Sequence, residues 1–335
     1  MEYRILGKTG LKVSLLGFGC GGVGGLMVAD DYQMMIRSVE LAVAAGINYF
    51  DTAQSYGNGR SEENLGRVLH ELKPDVVVGT KVQLTAADMD KIEARIIKAA
   101  ETSLRRLQME QLDLFQLHNP IGLERNQKHH WVSVTDLEPA IQAFQKLQKL
   151  GKIRYWGING LGETEAIHQV VANNGTYTIQ VCYNLLNPSA GYRMPKNFPF
   201  QDYRELIISA AERQMGVIAF RIIAGGALTA DNYRHPIAAK SVEPIASSNE
   251  YALDVTLARH FKFLVSEKWA ENLAEAAIRF ALSQPGISTI PIGLSSLDQL
   301  EKAISAVEKG PLPREALDRL PSIWDSFLRT RREKL

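Results

Sequence analysis

The sequence predicts a closed (β/α)8 barrel of the TIM type, an α/β fold, and three observations carry that expectation. Short β-branched, apolar runs alternate with longer amphipathic stretches, eight times over. No shift in composition divides the chain, so the units belong to one closed sheet rather than to an open, doubly wound one. The length of 335 residues suits a barrel with insertions, and 1–335 is expected to form that one domain.

The elements follow in order. Residues 3–14 read as a small hairpin turning at Lys8-Thr9-Gly10, ahead of the barrel. Strand-like runs occupy 13–19, 47–50, 76–80, 112–117, 153–158, 179–183, 217–220 and 287–292. Helical spacing marks 32–45, 61–72, 89–107, 136–150, 163–172, 203–214, 267–282 and 297–307. Ser61-Glu62-Glu63 reads as a capped start whose carboxylates suit the helix dipole. Gly46, Gly151, Gly216 and Gly286 each stand before a strand, where a helix ends and the chain reverses. Residues 224–265, after the seventh strand, are too long for an ordinary loop and are expected to form a substrate lid or a docking surface. Residues 314–328 read as an extra terminal helix, with 329–334 expected to fray.

Charge and composition narrow the partners. Lys and Arg number 38 against 37 Asp and Glu, so no basic excess suggests nucleic acid, and the basic tail reads as solvated. Apolar residues at 45% and charged residues at 22% exclude a disordered acidic chain. Two cysteines, Cys20 and Cys182, cannot staple a chain this long. The opening residues lack a signal-peptide profile, and no apolar run reaches the roughly 18 residues of a membrane span. The expectation is a cytoplasmic protein acting on a small molecule; oligomeric state stays open.

Sites in such barrels form where strands end, on the C-terminal face. The second run ends in Asp51, followed by Thr52-Ala53-Gln54-Ser55-Tyr56-Gly57; the third ends in Gly79-Thr80-Lys81; the fourth leads into His118. Each residue alone has an ordinary explanation as a cap, turn or rim residue. Jointly, a carboxylate, a phenol, an ammonium and an imidazole are aimed at one small volume. That set suits proton transfer by a tuned tyrosine. A free phenol, with a pKa of about 10, is too weak an acid near neutrality. Lys81 is expected to lower the Tyr56 value, Asp51 to hold Lys81, and His118 to orient a carbonyl oxygen or join the relay. No Gly-x-Ser-x-Gly turn supports a serine nucleophile. His129-His130 lies in a polar loop without the spacing of a metal site, and reads as surface.

The run Asp51-Thr-Ala-Gln-Ser-Tyr56-Gly-Asn-Gly-Arg-Ser61-Glu-Glu-Asn-Leu65-Gly66 resembles the signature of the aldo-keto reductase family. Gly79-Thr80-Lys81, Leu117-His118 and Gln180-Val181-Cys182-Tyr183-Asn184 match further family blocks in order, and the likeness runs from about residue 3 to about residue 310. It implies an oxidoreductase that reduces aldehydes or ketones, or oxidises the corresponding alcohol or sugar, by direct hydride transfer. NADP is the implied cofactor, with NAD possible. Tyr56 matches the family's general acid, Asp51 and Lys81 its tuning pair, and His118 its substrate-orienting histidine. By the same likeness Asn159 and Gln180 stand where the nicotinamide carboxamide is hydrogen-bonded, and Phe220 where an aromatic ring stacks on it. Two alternatives share the resemblance: a cofactor-binding regulatory subunit and an NAD-preferring aldose dehydrogenase.

The chain departs from the family twice. Where Ser-Pro-Leu-Gly-x-Gly is common, it has Arg221-Ile222-Ile223-Ala224-Gly225-Gly226. Gly225 and Gly226 still let backbone approach a pyrophosphate, while Arg221 can pair with a phosphate, with a substrate carboxylate, or in a structural salt bridge. After the eighth strand, Gly293 and Gln299 stand where many relatives carry Arg or Lys, although Ser295 and Ser296 remain as anion donors. Losing one such charged hydrogen bond removes roughly 1.5–3 kcal/mol, so the clamp that selects NADP is weakened. Leu26, His130, Trp131 and residues after 224 are the expected substrate-pocket contributors.

Overall fold

The computed structural model describes residues 1–126, 130–173 and 175–332, so His129 of the polar loop lies outside the described residues. Eight parallel strands form the barrel: β1 (Leu16–Gly19), β2 (Tyr49–Asp51), β3 (Val77–Val82), β4 (Leu112–Leu117), β5 (Ile153–Asn159), β6 (Thr178–Cys182), β7 (Gly216–Phe220) and β8 (Ile290–Gly293). β8 pairs with β1, and each later strand pairs with its predecessor as far as β7. A parallel bridge between Ile218 and Thr289 closes the ring, where the Ala219 N–H donates to the Thr289 carbonyl at 3.0 Å.

The covering helices are α1 (Tyr32–Ala44), α2 (Arg60–Leu72), α3 (Ile92–Leu107), α4 (Leu137–Lys149), α5 (Thr164–Ala172), α6 (Leu206–Glu212), α7 (Leu273–Leu282) and α8 (Leu297–Glu308). Their buried faces meet the outward residues of the strands in one continuous apolar layer. A second, smaller cluster fills the barrel floor. Tyr49, Val77, Leu114 and Ile218 point inward from their strands and pack on Leu6, Leu11 and Val13 of the N-terminal hairpin.

The hairpin pairs Tyr3–Ile5 with Lys12–Ser14, so the expected first run is two elements rather than one. The break falls at Ser14, whose N–H donates to Asn48 Oδ1 (2.6 Å) and whose hydroxyl donates to the Leu16 carbonyl (2.6 Å). The segment after β7 carries structure of its own, with a 3-10 turn at Ala224–Thr229 and a helix at Tyr251–Ala258. α7 starts six residues later than its apolar spacing suggests, because Asn272 caps it by accepting from the Glu275 N–H (2.9 Å). At the C-terminus a helix spans Leu320–Arg332, so 329–332 stay helical where fraying was expected. Trp324 anchors that helix by donating its indole N–H to the Leu185 carbonyl at 2.8 Å.

The expected start of α2 is also corrected. Gly59, at φ 95°, stands at the cap, and Ser61 lies inside the helix. Its hydroxyl is buried, sharing a hydrogen bond with Thr52 Oγ1 (2.7 Å) and donating to the Cys20 carbonyl (2.9 Å). Glu62 does not face solvent at the helix end. It is fully buried and accepts from Thr80 Oγ1 (2.6 Å), Ser103 Oγ (2.7 Å) and Arg106 Nη1 (3.2 Å). Three donors make a buried carboxylate tolerable, and they tie α2 to β3 and α3. Of the four glycines before strands, Gly46 and Gly151 take positive φ, whereas Gly216 does not. A Cβ at Gly216 would come within 2.7 Å of Leu6, so that glycine makes room for the hairpin.

Candidate active site

Each site residue is delivered by the C-terminal end of a strand. Asp51 is the last residue of β2, and the chain then turns through Tyr56 into α2. That turn needs three consecutive left-handed residues, Gly57 (φ 59°), Asn58 (φ 55°) and Gly59 (φ 95°). Glycine and asparagine are the residues that adopt this conformation at least cost. The turn swings the Tyr56 ring back over β3, where its centre lies 5.1 Å from Lys81 Nζ. His118 follows β4, its ring edge-on to Tyr56 with centroids 5.8 Å apart.

Beneath Tyr56 lies a buried ion pair. Lys81 Nζ donates to Asp51 Oδ1 at 2.5 Å and to the Thr52 carbonyl at 2.8 Å. The other Asp51 oxygen accepts from Tyr49 Oη (3.1 Å) and from Gln180 Nε2 (2.7 Å). Both charges are therefore compensated and oriented, as a buried pair requires. Tyr49 was not singled out by the sequence, although it lies two residues before Asp51 and so on the same strand face.

The electrostatics depart from expectation at Tyr56. Burial raises its pKa most; Lys81 opposes that, Asp51 reinforces it, and the result lies above the ordinary phenol value. Lys81 acts in the expected direction but does not prevail, because burial outweighs it and Asp51 offsets part of its field. Burial is the largest influence on the Lys81 ammonium and works against it, yet Asp51 and Tyr56 together outweigh it and hold its pKa above the ordinary value. For His118, burial and then the Lys81 charge bring the pKa down to about 3. The resting site thus holds a neutral phenol, a charged lysine and a neutral imidazole.

These groups open onto a cleft of about 490 Å³. Asp51, Tyr56 and His118 line one end, while Lys81, only 1% exposed, stands behind them. Asn159, Gln180 and Phe220 line the adjoining wall. Asn159 donates through Nδ2 to the His118 carbonyl (3.2 Å), while its Oδ1 is buried with no partner. An unpaired buried acceptor beside a cleft suits a ligand amide N–H, so the residues present fit a carboxamide. Midway along, Arg221 (φ 60°) lies half-buried against Gly225 and Gly226, which take φ 67° and 107°. A Cβ on Gly225 would come within 2.7 Å of Arg221 Nη1, so glycine there makes room for the guanidinium.

No carboxylate pairs with Arg221 among the described residues, which removes the structural salt bridge from its possible roles. Arg234 lines the same stretch and donates to the Gly225 carbonyl at 2.8 Å. No sequence signal marked it, because the long excursion after β7 brings it there. Ser295 and Gln299 lie at the far end, beside Glu275 of α7. Leu26, by contrast, is buried in the core, and His130 and Trp131 are not part of this cleft's lining. Cys20 and Cys182 are free and buried. Among the described residues no helix is long and apolar enough to cross a membrane.

The comparisons with known proteins agree with this architecture. A model of the aldo/keto reductase family matches residues 15–325. The L-galactose dehydrogenase of Arabidopsis thaliana is 29% identical over 97% of this chain and 95% of its own length. A probable voltage-gated potassium channel subunit beta from the same plant is 24% identical, covering 93% of each chain. The holo form of aldo-keto reductase AKR11C1 from Bacillus halodurans superposes with a TM-score of 0.71 at 26% identity, covering 96% of both chains. With nearly its whole barrel matched by the family model, the chain belongs to the aldo/keto reductase family.

Proposed function

We propose that this protein interconverts an aldehyde or ketone and the corresponding alcohol, with Tyr56 moving the proton. The observation that carries the reading is the buried Asp51–Lys81 pair directly beneath the half-buried Tyr56, with a neutral His118 beside it. A bound nicotinamide nucleotide would supply or accept the hydride. Asn159, Gln180 and Phe220 would hold its nicotinamide end, Arg221, Gly225 and Gly226 its diphosphate, and Ser295 and Gln299 its adenosine end. The family pattern by itself favours NADP(H), with NAD(H) the alternative, and the adenosine end is where the two diverge.

In reduction, the Tyr56 hydroxyl protonates the carbonyl oxygen as negative charge develops there. The Lys81 ammonium stabilises the phenolate left behind, and Asp51 keeps that ammonium in place. His118, having no charge near neutrality, would donate its imidazole N–H to the substrate carbonyl oxygen without competing as an acid. In the reverse direction the Tyr56 phenolate takes the alcohol proton. The family likeness extends to a channel subunit, but all four groups needed for chemistry are present here, which favours an enzyme.

Tyr56→Phe removes the proton donor and leaves the cofactor wall intact. Turnover with reactive aldehydes is expected to fall by about 10²–10⁴-fold, the usual contribution of a positioned acid, while nucleotide binding measured by fluorescence titration holds within about twofold. A variant that turns over at the parental rate would remove Tyr56 from the mechanism.

A further inference from the structure

Tyr49 stands two residues before Asp51 on β2 and is fully buried. Its ring belongs to the apolar cluster at the barrel floor, a seat that phenylalanine would fill as well. The hydroxyl is what such a seat does not call for, because a buried O–H is costly without a partner. Its partner is the carboxylate of the site. Tyr49 Oη donates at 3.1 Å to Asp51 Oδ2, the oxygen that Lys81 leaves free. Gln180 Nε2 donates to the same oxygen at 2.7 Å, so three side chains hold this carboxylate.

The flanking strands are shaped around the phenol. A Cβ on Gly79 of β3 would come within 2.7 Å of Tyr49 Oη, and one on Gly17 of β1 would come within 3.0 Å of the ring. Burial, reinforced by Asp51, pushes the Tyr49 phenol well above its ordinary pKa, so it stays a donor while Tyr56 ionises.

Resting on the Tyr56 reading above, we infer that Tyr49 is a positioning residue: its hydroxyl holds Asp51 and offsets part of its charge, leaving Lys81 better able to stabilise the Tyr56 phenolate. A neutral donor sets the positive end of its dipole against the carboxylate and weakens the field that reaches its neighbours. At Tyr56, Asp51 opposes the phenolate and Lys81 favours it. Without the Tyr49 hydroxyl, Asp51 acts on Tyr56 more strongly, and the balance moves toward the neutral phenol.

The other titratable groups around Tyr56 come from several elements. Cys20 follows β1, Lys81 lies on β3, His118 follows β4 and Arg221 follows β7. Burial raises the Cys20 thiol and keeps it neutral, His118 is neutral above about 3, and the Arg221 guanidinium stays charged. Asp113 of β4 acts on Tyr49 and is itself bonded to Arg154 at 2.7 Å. Lys81 is held above its ordinary value, which leaves Tyr56 as the group whose ionisation the alkaline range reports.

Tyr49→Phe is the test, with kcat followed against pH in both directions. The variant keeps the ring, and Gln180 still donates to Asp51 Oδ2, so no buried acceptor is orphaned. Both alkaline limbs are expected to move to higher pH by about 0.5–1 unit, part of what a hydrogen bond to a charged group is worth. At one alkaline pH below the limb, oxidation should therefore fall about three- to tenfold, while reduction keeps a larger share of its neutral rate. Nucleotide affinity should hold within about twofold. A packing defect alone would lower both directions together without displacing the limbs, and that result overturns the inference.

Gly79→Ala crowds the same hydroxyl from β3 and is expected to displace the limbs in the same direction with Tyr49 present. Limbs unmoved in both variants, or moved to lower pH, also overturn the inference. Tyr56→Phe, measured alongside, separates the two failures. If it turns over at the parental rate, the Tyr56 reading falls and the inference with it. If it is inactive while the Tyr49→Phe profiles overlay the parent's, the inference alone falls.

Discussion

At the scale of single residues, the site is governed by what burial does to charge. Tyr56 was expected to be acidified by Lys81; instead burial and Asp51 together hold it as a phenol. The sign of the pH dependence follows. In the proposed mechanism reduction uses the protonated hydroxyl, so its rate should stay flat through neutrality and decline only as pH rises through the raised Tyr56 value. Oxidation, on the same proposal, uses the phenolate and should rise with pH over the same alkaline range. His118, brought down to about 3, should contribute no inflection in the region of an ordinary histidine. Profiles of kcat in both directions check this, and a reduction rate that falls away near pH 7 would contradict it. Asp51, Tyr56, Lys81 and His118 were legible in the sequence because a strand end aims a side chain predictably. Tyr49 and Arg234 were not: one reads as a core aromatic, and the other is placed by a loop path that no periodicity encodes.

At the scale of elements, α2 is held by Glu62. Its three donors come from β3 and α3, so this carboxylate fixes the helix that follows Tyr56. Read along the chain, Glu62 is an unremarkable acid in the first turn of a helix. Only the packing of α2 on α3 turns it inward. Glu62→Ala would leave two buried hydroxyls without their acceptor and Arg106 with only the exposed Glu63, and is expected to cost about 3 kcal/mol of stability. Denaturant unfolding measures this directly; a loss under about 0.5 kcal/mol, typical of a surface substitution, would mean that the clamp carries no load. The loss should appear with little change in cofactor affinity, since Glu62 touches no part of the cleft.

Across the whole molecule, the two ends of the barrel have separate duties. The hairpin seals the floor, with Leu6, Leu11 and Val13 packed under Tyr49, Val77, Leu114 and Ile218. The proposed chemistry sits at the opposite rim. Leu6 is fully buried, and Leu6→Ala should destabilise the fold by about 2–5 kcal/mol through lost burial and the cavity left behind. Turnover below the unfolding temperature should remain near the parental value. A large drop in kcat with little change in stability would show that the floor couples to the site.

The sequence by itself determined the eightfold alternation, the closed parallel sheet, and the four strand-end residues that meet at Tyr56. Those follow from short-range periodicity and from the alternating direction of strand side chains, which need no knowledge of neighbours. The tertiary structure decided which way Tyr56 titrates, that Glu62 is a buried clamp, that Arg221 has no carboxylate partner among the described residues, and that Gln299 occupies the Ser295 N–H. Each of those is a balance between burial and a partner distant in the chain, or of a hydrogen bond that forms only once α8 is docked. Charge patterns along a sequence do not contain such balances, because desolvation is a property of the packed molecule.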